Sequence, residues 1–326
     1  MKKILALVLA LMLSLSLVGA VAEKNIVVTL TAVSTDTHAK AMMEFEKYVE
    51  EASAGNIQVE VYTDAVLFTQ EEEVVAVAGN DAQMSLISAS WLTSGSPWVG
   101  MFAAGYTFKS YDHMTAVLNG EIGKAAFAKI AEEQGVLPLG AWYLGSRQIS
   151  LSDDKHIKTP ADLNGINLRM PNSDAWLLLG KALGANPTPI SFSELYLSLQ
   201  TGVVDGQDNP LPTVESAKFY EVQKSITITN HLVDSVWPAI NVDFWNSLTA
   251  EEQEIVMGGV EAGRKFCDET NLGREAELVE FFKEKGLSVY EADLNAFAEH
   301  VQAYYLADPS SADWDLELLE QVKALG

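Results

Sequence analysis

Cysteine, arginine and clustered histidine are all scarce in this chain of 326 residues. The single cysteine, Cys267, excludes an internal disulfide framework and a cysteine-cluster metal site, and a buried apolar thiol is the interpretation that fits it. The five histidines are scattered without the spacing of metal ligands, so the sequence predicts no metal site and no cofactor. The chain also lacks a GxSxG nucleophile motif, a P-loop and a Rossmann glycine fingerprint, and we therefore expect no enzyme.

Positive charge is scarce as well, since 21 lysines and arginines face 45 acidic residues and the formal net charge is −24. A surface of this sign repels nucleic acid and anionic lipid, which excludes nucleic acid as an expected partner. Beyond the N-terminus, no run is long and apolar enough to cross a bilayer, so we expect no direct membrane insertion of the mature protein.

The N-terminus has the organisation of a secretory signal peptide. A basic start at Lys2 and Lys3 precedes an apolar run over residues 4–18, and Ala20-Val21-Ala22 forms a small-x-small cleavage site. The alternative, an uncleaved membrane anchor, needs a longer apolar run of about 20 residues. The sequence predicts that residues 1–22 are removed after Ala22, and no cysteine lies there to make a lipoprotein. The mature protein is expected in the periplasm or otherwise outside the cytoplasm.

The mature sequence alternates between strand and helix patterns, which predicts an α/β fold with more than one domain. Strands are predicted at 26–32, 57–62, 84–88, 136–143, 148–151, 166–170, 225–229 and 237–243. Helices are predicted at 39–52, from about 71, at 112–134, 173–183 and 193–201, and as one long helix from Thr249 to Lys285. Residues 206–210, GQDNP, have the composition of a turn.

Arg169 is one of only four arginines, and it lies inside the short apolar run GINLRMP at 165–171. On a strand, Leu168 and Met170 point to one face and Arg169 to the other. A buried guanidinium needs an anion, and two sources are open. One is an aspartate or glutamate of the chain itself, and the other is a ligand carboxylate held by the two-pronged fork of an arginine.

Arg147 and the aspartates near residue 206 allow further alternatives. Arg147 lies at a predicted strand end beside Gly145, where it is either a solvated loop residue or part of a site. Asp205 and Asp208 could form an acid/base pair, but aspartates beside turn residues commonly cap their own backbone. We therefore predict no catalytic residue.

Four segments carry a family resemblance: GINLRMPN at 165–172, ALGANPTP at 182–189, SELYLSLQTGVVDGQDNP at 193–210, and KFYEVQK at 218–224. In this order they resemble the DctP-type solute receptors of tripartite ATP-independent periplasmic (TRAP) transporters. The resemblance implies a two-lobed periplasmic binding protein of the type II flytrap kind, with a ligand cleft between lobes and a long helix spanning both. We expect lobe I at 23–144 plus 234–272, and lobe II at 145–233 plus 273–326.

The resemblance also implies a function and a site. The family's arginine that pairs with a ligand carboxylate matches Arg169, while Arg147 and Asn209 match residues that complete the carboxylate shell. The expected ligand is a small organic acid, and the expected partners are the small and large TRAP permease subunits. A ligand-binding sensor subunit for a membrane kinase is an alternative, and an enzyme acting on a carboxylated sugar is another.

Within the family, the sequence is most similar to the sialic-acid-binding branch. Asn172 and Phe192 match ligand-lining positions of that branch. Three positions depart from it, because an aspartate, a glutamate and an arginine of that branch correspond to Gln70, Ser88 and Trp91. A first-lobe pocket of this composition implies a different acid, such as a smaller sugar acid, a hydroxy acid or an aromatic acid.

Overall fold

The computed structural model describes residues 24–326, so the predicted signal peptide lies outside the described residues. Strands in this part of the chain are β1 (Lys24–Thr29), β2 (Ile57–Tyr62), β3 (Met84–Ile87), β4 (Val136–Pro138), β5 (Trp142–Leu151), β6 (Asn167–Met170), β7 (Asn186–Pro189), β8 (Gly206–Pro210), β9 (Ser225–Asn241) and β10 (Ser288–Glu291). They form a mixed sheet in the order β2-β1-β3-β9-β5-β8-β6-β7, with β4 and β10 also paired to β9.

Helices cover the faces of this sheet. They are α1 (Thr37–Ala52), α2 (Glu73–Ala78), α3 (Tyr111–Leu118), α4 (Glu121–Gln134), α5 (Asp174–Ala182), α6 (Phe192–Gln200), α7 (Leu211–Ser216), α8 (Val242–Ser247), α9 (Ala250–Glu284), α10 (Leu294–Ala307) and α11 (Leu316–Ala324). No helix among the described residues is long and apolar enough to span a membrane.

Two lobes share the sheet, and this confirms the predicted fold class. We call the part built on β1–β4 the first lobe, and the part built on β5–β8 and β10 the second lobe. The long strand β9 belongs to both, because its C-terminal end pairs with β3 and β4 and its N-terminal end with β10. The exact lobe boundaries stay a prediction.

The long helix α9 also reaches both lobes. Thr249 and Glu252 start it with a reciprocal capping box, at the residue where the sequence predicted the helix to begin, and it runs for 35 residues. In the first lobe it packs against α1, where a Cβ on Gly259 would lie 2.6 Å from the Val49 side chain. Farther along, Leu278 and Phe282 join the apolar core of the second lobe. Glycine permits the close approach to α1 in the first lobe. Because the far end of the same helix packs in the second lobe, α9 supports both lobes.

Three element predictions are wrong in instructive ways. The turn-like Gly206–Pro210 is a fully buried strand, β8, because β5 pairs with it and its polar side chains find partners inside the protein. The helix predicted over 112–134 is two helices, interrupted at Asn119 and Gly120. The strands predicted at 225–229 and 237–243 are one strand, β9.

Candidate functional site

A cleft between the lobes holds about 660 Å³ of space, part of it open to solvent. The first lobe contributes Leu30, Thr31, Ala32, His38, Gln70, Glu73, Leu86, Ser88 and Trp91, and the second lobe contributes Arg147, Arg169, Pro171, Trp176, Phe192, Asn209 and Thr213. Leu144, Asp234 and Val236 line it where the lobes join.

Arg169 is 1% exposed and enters this cleft from β6. Its neighbours Leu168 and Met170 point to the opposite face and are buried in the core of the second lobe. The Nε–H group donates to the Ile190 carbonyl oxygen at 2.8 Å, whereas Nη2 is buried without a hydrogen-bond partner among residues 24–326. No aspartate or glutamate of the described chain forms an ion pair with it. Burial, only partly opposed by the charge of Asp208, lowers the pKa of Arg169 to about 9.

Arg147 lies beside it on β5, and each of its three guanidinium nitrogens donates to a group of the protein. Nε donates to Asp208 Oδ2 at 2.7 Å and Nη1 to Asp234 Oδ2 at 3.0 Å, while Nη2 donates to the Asp208 carbonyl oxygen and to Asn209 Oδ1. Its guanidinium also lies 4.4 Å from the ring centre of Trp176. Burial would lower the pKa of Arg147, but the two carboxylates more than offset this and raise it. The alternative of a solvated loop arginine is therefore wrong, since the side chain is buried in mid-strand.

The local backbone of β5 explains how Arg147 reaches the cleft. The pairing of β5 with β9 shifts register on both sides of this residue, between Tyr143 and Gly145 and again between Arg147 and Ile149. Such bulges redirect side chains. Gly145 has φ 129°, and a Cβ there would lie 2.7 Å from the Pro210 side chain, so this close approach requires glycine.

The remaining second-lobe residues of the predicted site separate into two groups. Asn209 lines the cleft, and its Nδ2 donates to Gln207 Oε1 at 2.6 Å. Phe192 also lines the cleft and packs edge-on against Phe219. Asn172, in contrast, is exposed and lies outside the cleft lining, where Pro171 takes the place beside Arg169.

The three predicted first-lobe residues all line the cleft. Ser88 is buried and shares a hydrogen bond of 2.9 Å with Ser90. Trp91 is half-buried and packs against core residues of both lobes. Gln70 is half-buried at the start of the segment that leads into α2. The structure thus brings together every predicted site residue except Asn172.

Sequence reasoning missed several polar or aromatic contributors, among them Asp208, Asp234, Glu73 and Trp176. Asp208 was interpreted as a turn cap, but it is fully buried and lies between Arg147 and His231, at 2.7 Å and 3.2 Å. Asp234, Glu73 and Trp176 had no local motif to distinguish them.

Within residues 24–326, no three His, Cys, Asp or Glu side chains lie together so as to hold a metal ion. Cys267 is buried, as predicted, with Sγ 3.4 Å from the Tyr143 carbonyl oxygen.

Comparisons with known proteins agree with this architecture. The family model described as bacterial extracellular solute-binding protein, family 7 (DctP) matches residues 28–308. The chain is 32% identical over 257 residues to the sialic acid-binding periplasmic protein SiaP of Vibrio cholerae, covering 79% of each chain. It is 35% identical over 249 residues to the C4-dicarboxylate-binding periplasmic protein DctP of Rhodobacter capsulatus, covering 76% of this chain and 74% of the other.

Solved structures of solute-binding proteins are similar to this chain as well. A TRAP periplasmic solute-binding protein from Roseobacter denitrificans, with bound 3-deoxy-D-manno-oct-2-ulosonic acid (KDO), is 41% identical with a TM-score of 0.90. The match covers 93% of this chain and 100% of that one. A second protein from Roseobacter denitrificans, with bound L-galactonate, is 29% identical with a TM-score of 0.84, and the match covers 93% and 98% of the two chains.

These relatives are binding proteins, which at the level of the family supports the prediction that the chain is not an enzyme. The family is extracellular by description, in agreement with the predicted localisation. The chain belongs to the DctP family of bacterial extracellular solute-binding proteins and is a TRAP-type solute-binding protein.

Proposed function

We propose that this chain is the extracytoplasmic receptor of a TRAP transporter, that it binds a sugar acid through a salt bridge between Arg169 and the ligand carboxylate, and that it delivers the acid to the membrane permease. One observation carries the proposal: Arg169 is buried at the cleft with a guanidinium that no carboxylate of the described chain neutralises. A buried cation of this kind is costly until an anion arrives.

Arg147 and Asn209 complete the carboxylate shell in this proposal. Nη1 of Arg147 carries two hydrogens and gives one to Asp234, and Nδ2 of Asn209 carries two and gives one to Gln207. Each therefore retains one donor for the ligand. Hydrogen bonds to a charged group contribute about 1.5–3 kcal/mol each, so these donors together make a carboxylate a requirement for tight binding.

A sugar acid fits the rest of the cleft. Trp91, Trp176 and Phe192 offer flat apolar faces, while Thr31, Gln70 and Ser88 offer polar groups for hydroxyls. The ligand named for the 41% identical relative, KDO, is a sugar acid with hydroxyl groups and an apolar C–H surface. L-galactonate, named for the 29% identical relative, is also a sugar acid. We propose KDO as the first ligand to test.

The lobe division expected from the sequence, 23–144 plus 234–272 and 145–233 plus 273–326, is retained as part of the proposal. It assigns Arg169 to one lobe and Gln70, Ser88 and Trp91 to the other, so a ligand that touches both favours the closed form. The closed form is then the one that the permease subunits recognise.

Calorimetric titration of KDO into the mature protein, its Arg169→Met variant and its Arg169→Lys variant tests the proposal. We expect Arg169→Met to lose at least about a hundredfold in affinity, which corresponds to about two charge-assisted hydrogen bonds. Arg169→Lys should lose less but remain weaker than the parent, because an ammonium lacks the planar fork. Small-angle scattering should show ligand-induced compaction of the parent and none of Arg169→Met.

Arg274→Met is the matched control. Arg274 pairs with Glu215 on the surface, and its loss should leave the affinity within about twofold. Equal affinity of Arg169→Met and the parent would contradict the proposal.

A further inference from the structure

Glu73 is a buried carboxyl group that lines the cleft. It begins α2, is 3% exposed, and lines the same cleft as Arg169 from the opposite lobe. Thr31 Oγ1 donates to its Oε1 at 3.0 Å, and the Ser85 hydroxyl lies beside the carboxyl. Among the described residues, Glu73 forms no ion pair.

The charged groups around Glu73 leave it without a cation. Arg147 and Arg169 line the cleft from the second lobe, Asp234 lines it from β9, and His38 lines it from the start of α1. His38 Nδ1 lies 2.8 Å from Asp36 Oδ1, so any charge on its ring is already matched. Glu71, two residues earlier in the chain, accepts a hydrogen bond from Ser191 across the cleft and adds negative charge.

A bound ligand carboxylate takes up the last positive charge that could pair with Glu73. Arg147 and Arg169 carry two positive charges, and Asp208 and Asp234 offer two carboxylates to that cluster. Once the ligand's own carboxylate docks on Arg169, no guanidinium remains to neutralise Glu73. Burial, together with the charge of Glu71 and in spite of the Thr31 and Ser85 hydroxyls, raises the pKa of Glu73 to about 8.

We propose that Glu73 is a specificity-determining residue of the first lobe, which takes up a proton when the cleft closes and hydrogen-bonds a hydroxyl group of the sugar acid as a neutral carboxylic acid. The proposal rests on the proposed function, because it assigns the carboxylate end of the ligand to Arg169 and the hydroxylated end to Glu73. A neutral carboxyl offers one donor and one acceptor, as a hydroxyl does, so the two pair in both directions.

Proton uptake by Glu73 predicts the direction in which ligand affinity changes with pH. In this proposal Glu73 reaches solvent when the cleft opens and then has an ordinary carboxyl pKa. Because its pKa is raised when it is buried at the cleft, the closed, liganded protein then binds more protons. Affinity for the acid should therefore fall as pH rises, by about tenfold per unit between roughly pH 5.5 and pH 7.5. The same linkage requires that close to one proton is taken up per ligand at pH 6.5.

The experiment is calorimetric titration of KDO, L-galactonate and D-galacturonate at pH 6.5 in phosphate and in imidazole buffer. The difference in observed enthalpy between buffers of different ionisation enthalpy gives the number of protons taken up. We expect close to one for the parent and close to zero for Glu73→Gln. Because the amide keeps a donor and an acceptor, Glu73→Gln should retain binding and lose most of the pH dependence. Glu73→Leu should lose about tenfold or more in affinity at every pH, since it removes the hydrogen bonds as well.

Two variants separate the possible failures. If His38→Gln abolishes proton uptake and Glu73→Gln preserves it, the proton goes to the histidine and the proposal for Glu73 is overturned. If Arg169→Met binds these acids as the parent does, the proposed function fails, whatever Glu73 does. Absence of binding by all three acids would overturn both the ligand class and the role of Glu73.

Discussion

Arg147 and Arg169 lie on neighbouring parts of one sheet, both nearly fully buried, yet the chain surrounds them in opposite ways. Arg147 is neutralised by Asp208 and Asp234 and donates from all three of its nitrogens. Arg169 has one backbone acceptor and an unpartnered Nη2 among residues 24–326. The first arrangement is that of a structural ion cluster, and the second is that of a receptor for an outside anion. Burial alone therefore does not distinguish a structural arginine from a binding one.

The largest effect is expected when the structural arginine is removed. Arg147→Met leaves Asp208 and Asp234 buried without their cation, and breaking a buried pair in this way costs about 3–5 kcal/mol. Urea unfolding of the unliganded mature protein at pH 7 measures this loss. Arg274→Met, which removes a partly exposed pair, should cost less than about 1 kcal/mol. Equal losses of stability in Arg147→Met and Arg274→Met would contradict a structural role for Arg147.

The sequence predicted much of the fold and part of this contrast. Alternating patterns gave the α/β class and the capping box gave the start of α9, because both depend on neighbours in the sequence. The resemblance to a receptor family pointed to Arg169 and Arg147 but placed both of them in the shell of the ligand carboxylate. Their difference depends on Asp234, which lies 87 residues beyond Arg147 and meets it only across the β5–β9 pairing.

Other features were out of reach for similar reasons. Composition assigned GQDNP to a turn, and only pairing with β5 and β6 makes it a strand. Glu73 belongs to the acidic run 71–73, and such a run is typical of the first turn of a helix, where it interacts favourably with the helix dipole. Its burial at the cleft depends on how α2 packs against the sheet, and no local spacing encodes that.

Acid should weaken the structural cluster by an intermediate amount. Arg147 and His231 overcome the effect of burial and hold the pKa of Asp208 well below its usual range. A carboxyl with a lowered folded-state pKa stabilises the protein above its unfolded-state value of about 3.9, and the contribution is lost as pH falls towards the folded-state value. Asp208→Asn should therefore cost about 1.5–3 kcal/mol at pH 7 and progressively less below pH 4.

Urea unfolding at pH 7, 5, 4 and 3 measures this convergence. Asp243→Asn is a suitable control, because that residue lies on the surface helix α8 and forms no ion pair in the described chain. A constant difference between Asp208→Asn and the parent across this range would contradict an ionised Asp208 paired with Arg147.

The smallest change in stability is expected at the residue with the largest effect on binding. Arg169→Met removes a buried charge that makes one hydrogen bond to a backbone oxygen, and a methionine fills similar space without a desolvation cost. The free energy of unfolding of the unliganded protein should stay within about 1 kcal/mol of the parent or rise slightly. With saturating KDO the parent should have the larger free energy of unfolding, because only the parent gains stability from a ligand that binds the native state. A loss of several kcal/mol in the unliganded Arg169→Met variant would show that Arg169 is structural in the same sense as Arg147.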